Sequence, residues 1–399
     1  MSNMTLPNMI LLGTRKGTII FDRINASWQP RPIMHAGVPV CYVTRDPRDG
    51  TLWASLDHGH WGPKLSRSRD NGATWQDITS LKYPNGARYI VKYLPTPDFN
   101  PESPSALPEY ANAAVLKIWN IAFGNANQPG KLYAGTIPGG LFVSDDGGDS
   151  WELNRPLWNH HSRGGDLFSG DATSENCWNG TPASIDYGVF EPGIHSIAVD
   201  PRNPEHMYVS VSTAGVIETT DGGKNWHSRN QGMLNDYMPN PESEWGHDPH
   251  FVTYCSGQPD HLWQQNHCGV FYSDDGAKRW KKVSMPDVGV NFGFPIVADA
   301  KDGRTAWVVP AQADSERMAI NGGLSIARTN DGGQSWQSFR DGLPQENAYD
   351  IVLRHGLDAS GDYLCFGSTS GNVYLSEDRG ETWQSLGHNF PPIYSVRFG

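Results

Sequence analysis

The sequence is short of the features that mark several large classes of protein. Its five cysteines, Cys41, Cys177, Cys255, Cys268 and Cys365, are an odd number, widely scattered, with no CxxC pair. That pattern does not suit a disulfide framework and fits free thiols in a reducing, cytoplasmic setting. No apolar run approaches the roughly 20 residues that a membrane helix needs, so no membrane partner is expected. The segment Met1 to Leu12 lacks a basic start and a cleavage site and runs into a strand pattern, so a secretory signal is not expected either. Basic residues are outnumbered, 31 Lys and Arg against 43 Asp and Glu, for a formal net charge of −12. Without a basic patch, neither nucleic acid nor an anionic membrane is expected as a partner.

Turn formers are plentiful: 44 Gly and 29 Pro among 399 residues, with 15 Trp. Short apolar runs punctuated by these residues point to strands joined by turns rather than to long helices. One motif recurs, Ser/Thr-x-Asp-x-Gly-x-x-Trp. It is clear at Ser68-Asp70-Gly72-Trp75, Ser144-Asp146-Gly148-Trp151, Thr219-Asp221-Gly223-Trp226, Thr329-Asp331-Gly333-Trp336 and Ser376-Asp378-Gly380-Trp383. A sixth copy, Ser273-Asp275-Trp280, has Ala277 in place of the glycine, and Phe21 to Trp28 keeps only the tryptophan of a seventh. The tryptophans lie 47, 76, 75, 54, 56 and 47 residues apart, which is propeller-blade spacing with two long insertions. The hydroxyl and carboxylate suit a hairpin turn, the glycine a positive φ, and the tryptophan a place against the sheet. With that local task and few ligands each, the carboxylates are not expected to bind calcium.

These repeats resemble the Asp-box (BNR) family, which includes sialidases, sortilin-type receptors, xyloglucan hydrolases and a photosystem II assembly factor. The whole chain is similar to a bacterial, seven-bladed, sialidase-like group through Gly13-Thr-Arg-Lys-Gly17, His58-Gly-His60, Gln265-Asn-His-Cys-Gly269 and Gly342 to Tyr349. The resemblance implies an all-β, seven-bladed β-propeller of four-stranded blades, residues 1–399 forming a single domain. Ile393 to Phe398 would supply the inner strand of the first blade and close the ring. Sialidases of this family are typically six-bladed, carry an Arg-Ile-Pro segment and use three arginines, a Tyr-Glu pair and an Asp. This chain has Arg31-Pro-Ile and few arginines at the expected site, so sialidase activity is not expected.

In a four-stranded blade the motif turns share one face, and the turns between second and third strands share the other with the inter-blade links. Three consecutive links are long, near 81–116, 154–193 and 229–249, as for loops that wall a binding site. Counting 13 residues back from Tyr133, Tyr208 and Trp263 places Asn120, His195 and His250 at the first position of successive inner strands. A looser alignment places Cys41, Phe294, Tyr349 and Tyr394 there. Counting back from the motif aspartates puts Arg15 and His267 in turns on the same face, near the expanded turn with His58 and His60, and a charged insertion at Gln312 to Arg317.

His195, His250 and His267 are the expected metal ligands, for one divalent ion such as zinc, manganese or iron, with His58 or His60 as additional ligands. The alternative is a metal-free pocket of hydrogen-bonding histidines. Glu346 or Tyr349 would move a proton, Arg15 would orient an anionic group, and Asn120, His58, His60 and Gln265 would bind substrate. The expected function is that of a cytoplasmic enzyme, a hydrolase or lyase acting on a small polar or glycan-like molecule. The alternative is a non-catalytic binding or assembly propeller that recognises a protein or peptide partner.

Overall fold

The computed structural model describes residues 6–78, 81–95, 106–163, 192–236 and 240–399. Seven antiparallel four-stranded sheets form the blades of a β-propeller. In four blades a central strand is buried along its whole length: Met9–Thr14, Met207–Val211, Ala306–Ala311 and Tyr363–Gly367 expose no residue. A strand covered on both faces must be apolar throughout, which explains why these runs lack the alternation of a one-sided sheet. The outermost strands are the opposite. Gln76–Asp77, His227–Ser228 and Lys281–Lys282 are two residues long and largely polar, which blunts each exposed edge.

The ring closes through the chain ends. Ile393–Phe398 pairs antiparallel with Met9–Thr14, Ile10 opposite Phe398 and Leu12 opposite Val396. Ile393 and Val396 are fully buried, in a cluster with Ile10, Leu12, Phe21, Cys365 and Val373. Gly13 is needed at this seam: a Cβ there would stand 2.5 Å from the Ser395 hydroxyl. That hydroxyl in turn accepts the backbone N–H of Val43, on the inner strand of the second blade, at 3.2 Å.

By compactness the described chain divides into two units, residues 1–78 with 250–399, and residues 79–249. The first holds five blades. The second holds the third and fourth blades and a hairpin, Arg88–Pro95 with Ala106–Asn112, inside the long link near 81–116. That link therefore has strands of its own. The link near 154–193 opens with a one-turn helix, Arg155–Trp158, capped by the Asn154 side chain. Its residues 164–191 lie outside the described residues, as do 237–239 in the third long link. No helix among the described residues is long and apolar enough to cross a membrane.

The repeated turns are built alike. In the second blade Ser68 Oγ donates to Asp70 Oδ1 at 2.7 Å and accepts from the Gly72 N–H at 2.8 Å. Asp70 also accepts from the Thr74 N–H and hydroxyl. The same set recurs around Asp146 and Asp331. Hydrogen bonds from Thr74 and Ser150 draw the carboxyls of Asp70 and Asp146 down to about 2. In the shortened copy Ala277 adopts φ 59°, the left-handed region that glycine occupies in the sister turns.

Candidate functional site

The inner strands share an irregularity at their first turn. Their pairing skips Cys41 in the second blade, Trp119 in the third, His195 in the fourth and Tyr394 in the first. In the sixth it skips Phe294 and Pro295. A bulge leaves one residue out of the ladder and re-aims its side chain. The sequence alignment had picked out Cys41, His195, Phe294 and Tyr394; in the third blade it chose Asn120, the neighbour of the bulged Trp119. In the seventh blade the inner strand begins only at Leu357, so Tyr349 precedes it by eight residues.

The polar residues at these positions tie one inner strand to the next. Asn120 Nδ2 donates to the His195 carbonyl at 2.9 Å. His195 Nδ1 lies 2.6 Å from the Pro249 carbonyl, and His250 Nδ1 lies 2.7 Å from the Gly293 carbonyl. A carbonyl only accepts, so Nδ1 carries a proton in both rings, and in the neutral imidazole Nε2 then carries the lone pair. In His195 that second nitrogen is taken as well, by the Ser212 hydroxyl at 2.7 Å. His195 is also held edge-on by Trp119, with ring centroids 4.5 Å apart.

His250 and His267 come together in the fifth blade, their ring centroids 4.5 Å apart. His250 is fully buried near the start of Pro249–Cys255. His267 sits in the tight turn between Gln258–Asn266 and Gly269–Ser273. Phe294, the bulged residue of the sixth blade, stacks on His250 at 4.4 Å, and Phe292 lies against both imidazoles. The insertion at 312–317 supplies a carboxylate: Asp314 Oδ2 lies 3.3 Å from His267 Nδ1, while its Oδ1 accepts from Arg317 at 2.6 Å.

The remaining expected site residues are placed as follows. Gln265 is buried, its amide donating to the carbonyls of Asn266 and Gly269. His60 is exposed in the one-turn helix Gly59–Trp61, packed edge-on against Trp61, and His58 precedes that turn. Arg15 is exposed beside the ring closure, where its N–H donates to the Pro392 carbonyl. Glu346 is exposed, and Tyr349 is 65% exposed, its hydroxyl 3.5 Å from Asn347 Oδ1. On the repeated-turn side of the smaller unit, a cleft of about 570 Å³ is lined by Asp146, Glu152, Arg155 and Lys224 among others.

No family model matches this chain. Over 170 residues, 40% of this chain, it is 27% identical to an oligoxyloglucan-reducing end-specific xyloglucanase of Emericella nidulans, and the match covers 19% of that protein. Among solved structures, an ancestral GH74 enzyme superposes with a TM-score of 0.54 at 16% identity, over 88% of this chain and 39% of that one. The likeness is one of fold. YCF48 from Cyanidioschyzon merolae gives a TM-score of 0.47 at 13% identity, over 94% of this chain and 95% of that one. The match thus spans well under half the length of both the xyloglucanase and the GH74 chain.

The carboxylate beside His267 was not singled out from sequence. Asp314 lay inside an insertion recognised as charged, but no repeat alignment could say which charge would turn toward His267.

Proposed function

We propose that this chain is an Asp-box propeller that acts on a glycan-like molecule as a hydrolase or lyase, with its reacting centre at His250 and His267. The observation that carries this reading is the cluster itself. Two imidazoles, each with Nδ1 beside an oxygen, stand with the Asp314 carboxylate against aromatic walls. Such a set polarises a hydroxyl or a water, directly or through a metal ion. The local similarity to a xyloglucanase supports a glycan as the substrate class. The exposed ring of Trp61 suits the apolar face of a sugar ring. In this reading Glu346 or Tyr349 moves a proton from the seventh blade, and Arg15 orients an anionic group. Gln265 holds the turn that carries His267, and His58 and His60 contact substrate. The cytoplasm is the proposed location.

The test is a panel of xyloglucan, other β-glucans and acidic oligosaccharides, with products followed by mass spectrometry. The expected result is release of defined fragments by the native protein and its loss in His267→Ala, with an unchanged circular dichroism spectrum. No turnover on any of them, together with capture of a peptide that tolerates His267→Ala, would favour a non-catalytic binding propeller instead.

A further inference from the structure

We propose that the turn Arg15-Lys16, flanked by the exposed rings of Trp61 and Tyr349, is a subsite for the carboxylate of an acidic oligosaccharide, a chain that contains uronic acid units. The proposal rests on the glycan reading above and names its substrate class.

The argument starts with two cations that the fold does not use. Arginines elsewhere in the chain sit on carboxylates, as Arg31 does on Asp22 and Arg48 on Asp46, both at 2.6 Å. Arg15 and Lys16 are exposed, and among the described residues their side chains have no hydrogen-bond or ion-pair partner. Their backbones, by contrast, are tied down. The Arg15 N–H donates to the Pro392 carbonyl at 2.9 Å and the Lys16 N–H to the Thr14 hydroxyl at 3.2 Å. The Lys16 carbonyl accepts from the Gly37 N–H at 2.9 Å. Main-chain bonds therefore hold the turn, and two adjacent positive charges stand on it in a chain of formal net charge −12. A guanidinium offers a planar carboxylate two parallel N–H donors, and the ammonium beside it adds a further charge-assisted bond.

Position decides what carries that carboxylate. The turn joins the second and third strands of the first blade, Met9–Thr14 and Gly17–Ile24. Its neighbours in the ring are the seventh and second blades. Ser395, on the first blade's inner strand, bridges to His355 of the seventh and accepts from the Val43 N–H of the second. Each neighbour presents an aromatic ring to solvent. Trp61 stands in the corresponding turn of the second blade, between Leu52–Asp57 and Pro63–Ser68, and Tyr349 in the link that leads to Leu357–Ser360 of the seventh. Among the exposed large apolar side chains of the described residues, these two are the aromatic ones. Both are held from behind. His60 packs edge-on against Trp61, with ring centroids 5.2 Å apart. The Tyr349 carbonyl accepts from the Ser370 hydroxyl at 3.3 Å, and its neighbours Ala348 and Asp350 are buried. Large rings fixed in contact with water suit the apolar faces of sugars. Sugars on these two platforms put the units between them over Arg15 and Lys16, and the carboxylate of a uronic acid is the group that answers two adjacent cations. With the Tyr349 ring used for stacking, proton transfer falls to Glu346.

The test uses the full chain and calorimetric titration with three acidic tetrasaccharides: galacturonate, mannuronate, and alternating glucuronate and N-acetylglucosamine. Each is paired with its carboxyl-reduced, neutral counterpart. At least one acidic tetrasaccharide should bind about tenfold or more tightly than its counterpart, with the difference shrinking as salt is raised. Arg15→Ala should weaken acidic binding roughly 10–100-fold and neutral binding far less. Arg15→Ala/Lys16→Ala should abolish the preference. Trp61→Ala should weaken both members of a pair by roughly 2–10-fold, since stacking does not need the charge. Because its backbone holds the turn, each variant should keep the native circular dichroism spectrum. The proposal is overturned if no acidic tetrasaccharide is preferred over its counterpart, or if Arg15→Ala/Lys16→Ala keeps the preference. Turnover of neutral glycans without any such preference would reject this subsite and leave the glycan reading standing. Charge-dependent binding with no turnover of any glycan would uphold the subsite and reject the hydrolase or lyase reading.

Discussion

The fourth blade carries an ionic clasp whose contribution should change with pH in a defined direction. His206 lies between two buried carboxylates, Nδ1 at 3.0 Å from Asp200 and Nε2 at 2.8 Å from Glu218. Asp200 directly follows the inner strand Ile194–Val199 and Glu218 belongs to the third strand, so the imidazole spans the strand between them. Arg202 holds Asp200 at 2.7 Å and Arg229 holds Glu218 at 2.6 Å. The hydrogen bond to Glu218 raises the His206 pKa above its usual value against the pull of burial. Burial works against ionising Asp200 and Glu218, but Arg202 in one case and His206 in the other outweigh it and hold both carboxyls low. Because the folded His206 pKa is raised, its contribution is complete below the unfolded value of about 6.5 and fades as pH rises through the folded value. The carboxylates contribute above their unfolded values, near 4, and fade as pH falls through their lowered folded values. The clasp is therefore strongest between roughly pH 4.5 and 6.5. Two charge-assisted bonds are worth about 1.5–3 kcal/mol each, but the ring is partly exposed and each carboxylate keeps its arginine. His206→Ala should then cost about 2 kcal/mol at pH 5.5. At pH 9 the neutral ring can donate to only one carboxylate, and the same substitution should cost about 1 kcal/mol. Urea unfolding of both proteins at the two pH values measures this. An equal or larger cost at pH 9 would refute the clasp as described.

Three further outcomes follow from the fold. Ile393→Ala removes a fully buried side chain from the strand that closes the ring, so it should cost about 2–5 kcal/mol and lower the urea midpoint. A cost under about 1 kcal/mol would mean the closing strand contributes little. The carboxyls of Asp70 and Asp146 should titrate with midpoints of about 2 by carbon-detected NMR, because their turn hydrogen bonds favour the ionised form. Midpoints in the ordinary carboxylate range would mean the turns open in solution. Ser144→Ala leaves the Gly148 N–H without its acceptor and should destabilise the protein by about 1–2 kcal/mol, measured by urea unfolding.

How much of this was legible in the sequence differs from element to element. The blades were, because Ser68, Asp70 and Gly72 and their counterparts form a turn from local hydrogen bonds alone, and such turns repeat in sequence wherever they repeat in space. The ring closure was, because the N-terminal blade lacked a strand and Ile393 to Phe398 was an unpartnered apolar run. The inner-strand positions were legible to within one residue. Asn120 was chosen where Trp119 is bulged, because the link to the second strand is one residue longer there: Tyr133 pairs with Ala122, 133 − 122 = 11 residues back, and Tyr208 with Ala198, 208 − 198 = 10 residues back. Tyr349 was placed on a strand that starts only at Leu357. There the chain between Asp350 and Gly356 is bonded to the segment around Ser368 instead, through Thr369 N–H to the Ile351 carbonyl. The pairing of His250 with His267 was foreseen because both counted to one blade and one face. The carboxylate beside them was not, since Asp314 sits in an insertion of irregular length, where no repeat sets a register.

The measurement that tests the account most directly is a crystal structure with a xyloglucan oligosaccharide bound. The account predicts sugar density at the fifth blade, with a ring hydroxyl or glycosidic oxygen within hydrogen-bond reach of His250 or His267. Density confined to the cleft at Asp146, Glu152 and Lys224, with the histidine cluster untouched, would contradict it.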